Sequence, residues 1–245
     1  AILTERLEAW LYGIGSRSSA LHDLRSRHVN RLLHPIPCPE DVPERMAPLI
    51  WFLHRVDGGV ALTQAGYLPT AVVRDAAARF GWELGWTDRA PRSESELGPL
   101  FEVHEAARRV GAVTRRGGRL SVSRRGRFIR EDPESAWRAV AAGLSPGDWF
   151  RAVAEVFTLM LMEGEQDDHE LERRAVTMLD DSGWRLGGEP PGSVAVMSSW
   201  WATNRLLTVL GGTKERGSGW SRTTRLTAFG EATLLEQIRA NAVGP

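Results

Sequence analysis

The 245-residue chain has almost no cysteine and almost no lysine. Its single cysteine, Cys38, excludes an internal disulfide framework and cysteine-rich zinc modules. Of the 31 basic residues only Lys214 is a lysine, so a lysine-dependent nuclease or kinase site has almost nothing to draw on. We attribute this preference for arginine over lysine first to the base composition of the coding sequence.

Long apolar runs are also missing. The best candidate, residues 153–162, is far shorter than the roughly 18–20 residues of a membrane helix and is interrupted by Glu155. Glu5 and Glu8 lie where a signal peptide would need its apolar core. Together with the single cysteine, these absences predict a cytoplasmic protein.

The chain lacks the familiar catalytic motifs: a Gly-x-Ser-x-Gly elbow, a P-loop, a dinucleotide fingerprint and a His-Glu-x-x-His pair. We therefore expect no enzymatic activity. His22, His28, His34 and Cys38 come nearest to a zinc set, but spacings of six residues rotate successive side chains by about 240° around a helix. Such side chains do not converge, so we expect neither a metal nor another cofactor.

The residues that are present describe a globular protein. Hydrophobic residues make up 42% of the chain and charged residues 25%. The 31 basic and 31 acidic residues cancel, so the net charge indicates no nucleic-acid partner and only the distribution of charge is informative.

A proline-rich stretch divides the chain. Four prolines lie among the ten residues 34–43, and proline blocks helix and extends the residue before it. We therefore predict three parts: an N-terminal helical segment and linker (1–40), a first winged-helix domain (41–131) and a second helical, winged-helix domain (132–245).

The first domain shows its elements in order. Apolar spacing predicts helices over 43–56, 69–80 and 97–110, a short strand over 60–63 and a hairpin over 112–123. The order helix, strand, helix, helix, strand, strand is that of a winged helix, in which the early strand joins the hairpin.

The second domain predicts further helices and a second hairpin, formed by residues 213–216 and 221–227. The predicted helices cover 133–142, 146–163, 168–182, 194–210 and 230–240. With helices also expected over 2–12 and 17–33, the predicted fold is mainly α with small β-hairpins: two winged-helix-like domains plus an N-terminal helical arm.

A short pattern, apolar–Ser/Thr–x–x–Gly, occurs three times and ends at Gly66, Gly126 and Gly230. We expect each copy to end a strand and lead into a helix, with the hydroxyl available to cap it. The unequal intervals indicate recurrent local chemistry and not a solenoid.

Two segments of the first domain carry a resemblance. Residues 62–69 read LTQAGYLP and residues 118–123 read GRLSVS. The span 44–130 resembles a group of uncharacterised actinobacterial proteins in which LTxxGYLP precedes a helix and a GRLxLTxxG hairpin closes the unit; Ser123 stands where that hairpin usually has threonine. The hairpin is also similar to that of winged-helix transcription regulators. The resemblance implies the winged-helix fold and no particular activity.

Arginine is concentrated in one place. Nine arginines and no acidic residue lie between Arg108 and Arg130. On a winged helix, the end of the third helix and the wing tip face the duplex, where arginine neutralises phosphates or enters a narrow minor groove. The predicted DNA-binding residues are Arg108, Arg109, Arg115, Arg116, Arg119, Arg124 and Arg125. The alternative is a solvated, charged hairpin.

The charge of the third helix of this domain disfavours its insertion into DNA. We expect it to expose four glutamates beside His104: Glu94, Glu96, Glu102 and Glu105. Carboxylates repel phosphates, and base readout prefers other side chains. A contact led by the wing and weakly specific for sequence fits better.

Two features of the second domain favour a protein partner. Adjacent tryptophans on one helix cannot both face one core, so Trp200, Trp201 and the hairpin residue Trp220 are candidate partner contacts. The alternative, which we favour for the helix pair, is that both tryptophans tuck into grooves of a helical domain. Six carboxylates lie between residues 163 and 172. We interpret them as a solvated interhelix loop, with the hypothesis that they dock against the basic wing of the same or a neighbouring molecule.

These observations predict a DNA-binding winged-helix protein, a transcription regulator in function, that contacts double-stranded DNA mainly through its arginine-rich wing. The alternative is a winged-helix protein–protein interaction module without nucleic-acid binding, for which residues 17–33 would serve as a partner or homodimerisation arm.

Overall fold

The computed structural model describes residues 2–13, 17–83, 89–217 and 222–243. The chain divides into two compact units: Glu40–Gly143, here called the central unit, and Ala1–Pro39 with Leu144–Pro245, here called the terminal unit. Both are mainly helical, and each contains one small three-stranded antiparallel sheet.

The helices and strands follow in chain order. The terminal unit begins with α1 (Ile2–Tyr12) and α2 (Ser19–Leu32). The central unit comprises α3 (Val42–Val56), β1 (Val60–Ala61), α4 (Thr70–Phe80), a 3-10 turn (Glu94–Glu96), α5 (Gly98–Arg109), β2 (Val113–Arg116), β3 (Arg119–Val122), α6 (Arg124–Glu131) and α7 (Pro133–Gly143). The terminal unit resumes with α8 (Asp148–Leu161), β4 (Gln166–Asp167), α9 (Asp168–Asp181), α10 (Ser193–Val209), β5 (Thr213–Arg216), β6 (Thr223–Leu226) and α11 (Ala228–Val243).

The units do not follow the three predicted parts. Helix α7, which we assigned to the second domain, packs against α3, α5 and α6 of the central unit. Its end is fitted closely, since a Cβ at Gly143 would lie 2.8 Å from Cγ1 of Val110. The N-terminal segment belongs to the terminal unit instead of standing alone.

Helix α2 has its apolar face covered. It packs against α1, α8 and α11, and its buried leucines are Leu21, Leu24 and Leu32. Arg25 is also buried; its Nε donates to Glu155 at 2.6 Å and its Nη1 to the carbonyl of Trp10 at 2.8 Å. Because this face is used within the terminal unit, α2 offers no free apolar stripe for a dimerisation arm.

The two units repeat one arrangement. The series α3–β1–α4–α5–β2–β3–α6 and α8–β4–α9–α10–β5–β6–α11 have the same order of elements. In each sheet the last strand lies in the middle, in the orders β1–β3–β2 and β4–β6–β5. Strand β4 lies in the acidic stretch that we interpreted as a loop.

The junction between hairpin and following helix is the same in both units. In the central unit Ser123 Oγ donates to the Gly111 carbonyl and accepts from Gly126 N, which caps α6. A Cβ on Gly126 would lie 1.9 Å from the carbonyl oxygen of Ala112, so only glycine fits there.

In the terminal unit Thr227 Oγ1 makes the equivalent bonds to the Gly211 carbonyl and from Gly230 N. The expected hydroxyl cap is thus confirmed at two of the three sequence copies. At the third copy Thr63 accepts from Tyr67 N in a turn, and α4 begins only at Thr70, so the capping prediction is wrong there.

We expect Leu24→Ala to lower the free energy of unfolding of the terminal unit by about 2–5 kcal/mol, because the leucine is buried on a helix that packs against α1, α8 and α11, and the cavity fills only partly. Urea unfolding followed by circular dichroism measures this loss. The control is Asn30→Ala, an exposed position on the same helix. Equal stabilities of the two variants would contradict the packing of α2.

Candidate nucleic-acid interface

The buried residues of the central unit's hairpin lie on one face, whereas its arginines lie on both. Residues opposite each other on paired strands share a face, and buried Val113, Val122 and Leu120 mark the face toward the core. Arg115, opposite Leu120, belongs to that face by register but is exposed. Arg116 and Arg119 pair on the opposite, exposed face. Two like charges directly opposite each other destabilise a strand pair. The Arg116–Arg119 pair therefore does not stabilise the hairpin.

The backbone before the hairpin holds two of these arginines. Arg119 Nη2 donates to the Gly59 carbonyl at 2.7 Å. The Arg115 guanidinium lies against Gly66, where a Cβ would come within 3.1 Å of its Nη1. Both guanidinium groups thus lie against uncharged backbone of the segment before the hairpin.

Two more arginines lie at the start of α6. The Ser123 cap starts this helix directly after β3, so exposed Arg124 and Arg125 fall in its first turn, which contains no acidic residue. The N-terminus of a helix carries partial positive charge and favours anions. Because Arg124 and Arg125 lie at this end of α6 and no carboxylate accompanies them, the start of α6 is suited to an anionic ligand.

Ion pairing separates the arginines into two groups. Among the described residues, no carboxylate lies within ion-pair distance of the following five, here called the arginine surface: Arg115, Arg116, Arg119, Arg124 and Arg125. Arg108 instead pairs with Glu105 at 2.7 Å, and Arg109 lies 3.9 Å from Glu102.

The last arginines of the run also serve the fold. Arg130 lies 2.7 Å from the carboxylate of Asp57, and Arg127 lies 4.0 Å from it. The guanidinium of Arg130 lowers the pKa of Asp57, and the two carboxylates of Asp57 and Glu131 raise the pKa of Arg130. These contacts attach α6 to the end of α3.

The expected row of exposed glutamates on α5 is wrong at its main positions. Glu94 is fully buried in the 3-10 turn before the helix, where Oε2 accepts from Leu68 N at 2.8 Å and Oε1 lies 2.6 Å from His104 Nδ1. His104 and Glu102 are buried as well. Through Glu94, His104 connects the inward side of α5 to Leu68 in the segment before α4.

The two remaining glutamates are partly exposed but engaged. Glu96 accepts from the backbone N–H of Arg92 at 2.9 Å and from Arg89 at 3.2 Å, and these bonds lower the pKa of its carboxyl. Glu105 is the partner of Arg108. The negative charge that we expected to repel DNA from α5 is therefore largely buried or neutralised.

The terminal unit shows what the same scaffold does without these arginines. By strand register and by the Ser123/Thr227 cap, the positions equivalent to the arginine surface are Glu215, Arg216, Thr223, Ala228 and Phe229. Only one of the five keeps an arginine, although Lys214 and Arg225 leave some positive charge on this hairpin. The shared fold therefore does not require arginine at these positions.

The paired tryptophans have different environments. Trp200 is buried and stacks on Phe157 with ring centroids 4.7 Å apart. Trp201 is half-buried, and the Arg222 guanidinium lies 4.3 Å from its ring centroid. One of the two is thus a core residue and the other reaches the surface. Trp220 lies outside the described residues.

The acidic block does more than form a solvated loop. Asp168 accepts from Thr224 Oγ1 at 2.7 Å and from Arg222 Nε, and Glu165 accepts from Thr223 Oγ1 at 2.6 Å. These bonds attach the short strand β4 and the start of α9 to β6. Sequence reasoning missed this role because the partners lie more than fifty residues later in the chain.

Within the described ranges, no group of three His, Cys, Asp or Glu side chains is placed to hold a metal ion. Nor does any helix in those ranges combine the length and the apolar character needed to cross a membrane. Comparisons with protein-family models, with curated proteins and with solved structures gave no match. A functional assignment therefore rests on the side chains themselves.

We expect Glu94→Ala to destabilise the central unit by about 1–3 kcal/mol for each buried group that loses its partner, here Leu68 N–H and His104. Glu105→Ala, which removes a carboxylate from a surface pair on α5, should cost far less. Urea unfolding of both variants checks this. A larger loss at Glu105 than at Glu94 would contradict the buried position of Glu94.

Proposed function

We propose that this chain is a cytoplasmic DNA-binding protein of the transcription-regulator type, built from two winged-helix domains, and that the central unit contacts duplex DNA through the arginine surface. The observation that carries the proposal is the set of five arginines without carboxylate partners among the described residues, on one hairpin and the first turn of the next helix.

The order of elements supports the winged-helix assignment. In the central unit a short strand after the first helix pairs with the hairpin, and the third helix directly precedes that hairpin. This is the arrangement that presents a hairpin as a wing beside the third helix. The terminal unit repeats it.

The placement of the arginines supports an anionic ligand. Arg116 and Arg119 face each other across the strands, and Arg124 and Arg125 lie at a helix N-terminus. Each placement opposes folding electrostatically. A row of phosphates would relieve both costs, and release of the counterions condensed on DNA would drive binding.

The contact should be led by the wing. Arg108 and Arg109 at the end of α5 are already engaged with glutamates of the same helix, whereas the arginines of the wing are not. Phosphate contacts position a protein without reading sequence. We therefore propose binding that depends strongly on salt and weakly on base sequence.

A protein partner is the second candidate, and one observation favours it for the terminal unit. There Trp201 and the exposed Val194 line a groove, and only one of the five positions equivalent to the arginine surface is an arginine. The two functions belong to different units and are compatible.

Replacing Arg115, Arg116 and Arg119 together by alanine should weaken duplex binding and flatten the dependence of log K on log salt by about 2–3, since each phosphate contact contributes about 0.9 to that slope. Fluorescence anisotropy over a series of salt concentrations measures both effects.

The matched control removes three exposed arginines of the terminal unit, each paired with a carboxylate of its own surroundings: Arg151, Arg173 and Arg185. This control changes the net charge equally and should leave the slope close to that of the wild type. Equal slopes for the two triple variants would refute the assignment to the wing.

A further inference from the structure

One aromatic ring of the central unit is left in solvent. In the described part of the chain, the exposed large hydrophobic residues are Tyr12, Phe128 and Val194, and Phe128 is 70% exposed. Helix α6 buries Gly126 and Ile129 against the rest of the central unit. Phe128 lies on the solvent side of the same helix, so packing within the central unit does not account for its ring.

The exposed ring lies beside arginines of its own helix. Arg124 and Arg125 precede Phe128 by four and three residues, the spacings at which side chains on a helix are neighbours. Both arginines belong to the arginine surface. Glu131 follows Phe128 by three residues, but its carboxylate already accepts from Arg130 Nε at 2.8 Å. The surroundings of the ring are therefore mainly positive in charge.

The repeated arrangement in the terminal unit shows that the fold does not need this ring. Counted from the two capping hydroxyls, the residue equivalent to Phe128 is Ala232. The ring is thus a feature of the central unit alone, as most of the arginines are. Alanine is also compatible with the helix at this position, so the ring can be removed without disturbing the junction between hairpin and helix.

An exposed ring beside such arginines fits a ligand that offers phosphates together with a flat apolar face. Duplex DNA offers both, because its base pairs present their faces wherever a step is unstacked. Apolar side chains that enter such a step act as wedges and bend the duplex. An anionic lipid surface also combines negative charge with apolar material. One ring, however, buries less apolar area than a single acyl chain, which by itself binds a membrane only marginally.

We propose that Phe128 is a wedge that enters a base step of the duplex held by the arginine surface, so that the protein bends DNA and prefers a duplex with one weakened step. The wedge rests on the proposed function, because it acts on DNA that the arginines hold. The arginines bind phosphates whatever the sequence, and the ring enters where unstacking costs least: at flexible pyrimidine–purine steps and at mismatches. Unrelated duplexes contain flexible steps, so the overall affinity still varies little with sequence.

The test measures bending by energy transfer between two dyes at the ends of a short duplex. The wild type, bound at low salt, should bring the ends closer and raise the transfer. Phe128→Ala keeps every charge, so it should bind with the salt dependence of the wild type and leave the duplex straight. Tyr12→Ala is the matched control, because Tyr12 is 65% exposed on α1 of the terminal unit. This control should bend the duplex as the wild type does.

A second duplex, with one mismatched pair at its centre, tests the preference for a weakened step. We expect the wild type to bind it about tenfold more tightly than the intact duplex, because the mismatch removes part of the cost of unstacking. Phe128→Ala should bind the two duplexes equally. Phe128→Trp, which keeps a flat ring, should restore both the bending and the preference. Urea unfolding should show that these variants are as stable as the wild type, since the side chain is exposed.

The outcomes separate the wedge from the proposed function. A wild type that does not bind duplex DNA at low salt would overturn both. A wild type that binds with the expected salt dependence but does not bend DNA, or a Phe128→Ala variant that bends it equally, would overturn the wedge alone. So would tighter binding to a single strand than to the mismatched duplex. Binding to vesicles of anionic phospholipid that is lost in Phe128→Ala, with DNA bending unchanged, would assign the ring to a lipid surface and overturn the wedge.

Discussion

The close approach of a glycine to a backbone carbonyl at the end of each hairpin is the constraint from which much of this structure follows. Gly126 lies so near Ala112 that no side chain fits between them, and Ser123 bonds to both sides of the junction. This junction fixes where β3 ends and α6 begins. It thereby sets the arginines of the hairpin and those of the helix at fixed places on one continuous piece of chain. Gly230 and Gly212 repeat the contact in the terminal unit.

Because the junction is repeated and the arginines are not, the scaffold and its surface chemistry can be considered separately. An arginine bias of the whole chain would populate both hairpins alike. Instead Glu215 stands at the position of Arg115, and the buried Phe229 at that of Arg125. The charge of the central unit is thus a local feature, and it is placed where it opposes folding. This local positive charge is the physical reason to look for an anionic partner of the central unit and an apolar or cationic partner of the terminal unit.

The sequence predicted the elements with strong local signals. The apolar spacing of Met46, Leu49 and Leu53 predicted α3, and all three residues are buried. The glycine pair Gly117–Gly118 predicted the hairpin turn, and both residues adopt positive φ there. Ion pairs over long separations could not be predicted: Arg25 reaches Glu155 and thereby attaches α2 to the terminal unit. Strand β4 has only two residues and no periodicity, so it is defined solely by its pairing with β6.

The same limit applies to the candidate site. The arginine run was visible in the sequence, but the division into paired and unpaired members depends on Asp57, Glu102 and Glu105. The burial of Glu94 depends on Leu68, because the carboxylate of Glu94 accepts a hydrogen bond from the Leu68 backbone N–H. Apolar periodicity carries no information about such partners. For that reason the sequence predicted more exposed negative charge around α5 than the structure has.

The most direct test of the central claim is the affinity of the wild-type protein for random-sequence duplex DNA across a range of salt concentrations. We predict tight binding at low salt that weakens steeply as salt is added and changes little between unrelated sequences. Absence of binding at low salt would contradict the claim that the arginine surface contacts DNA.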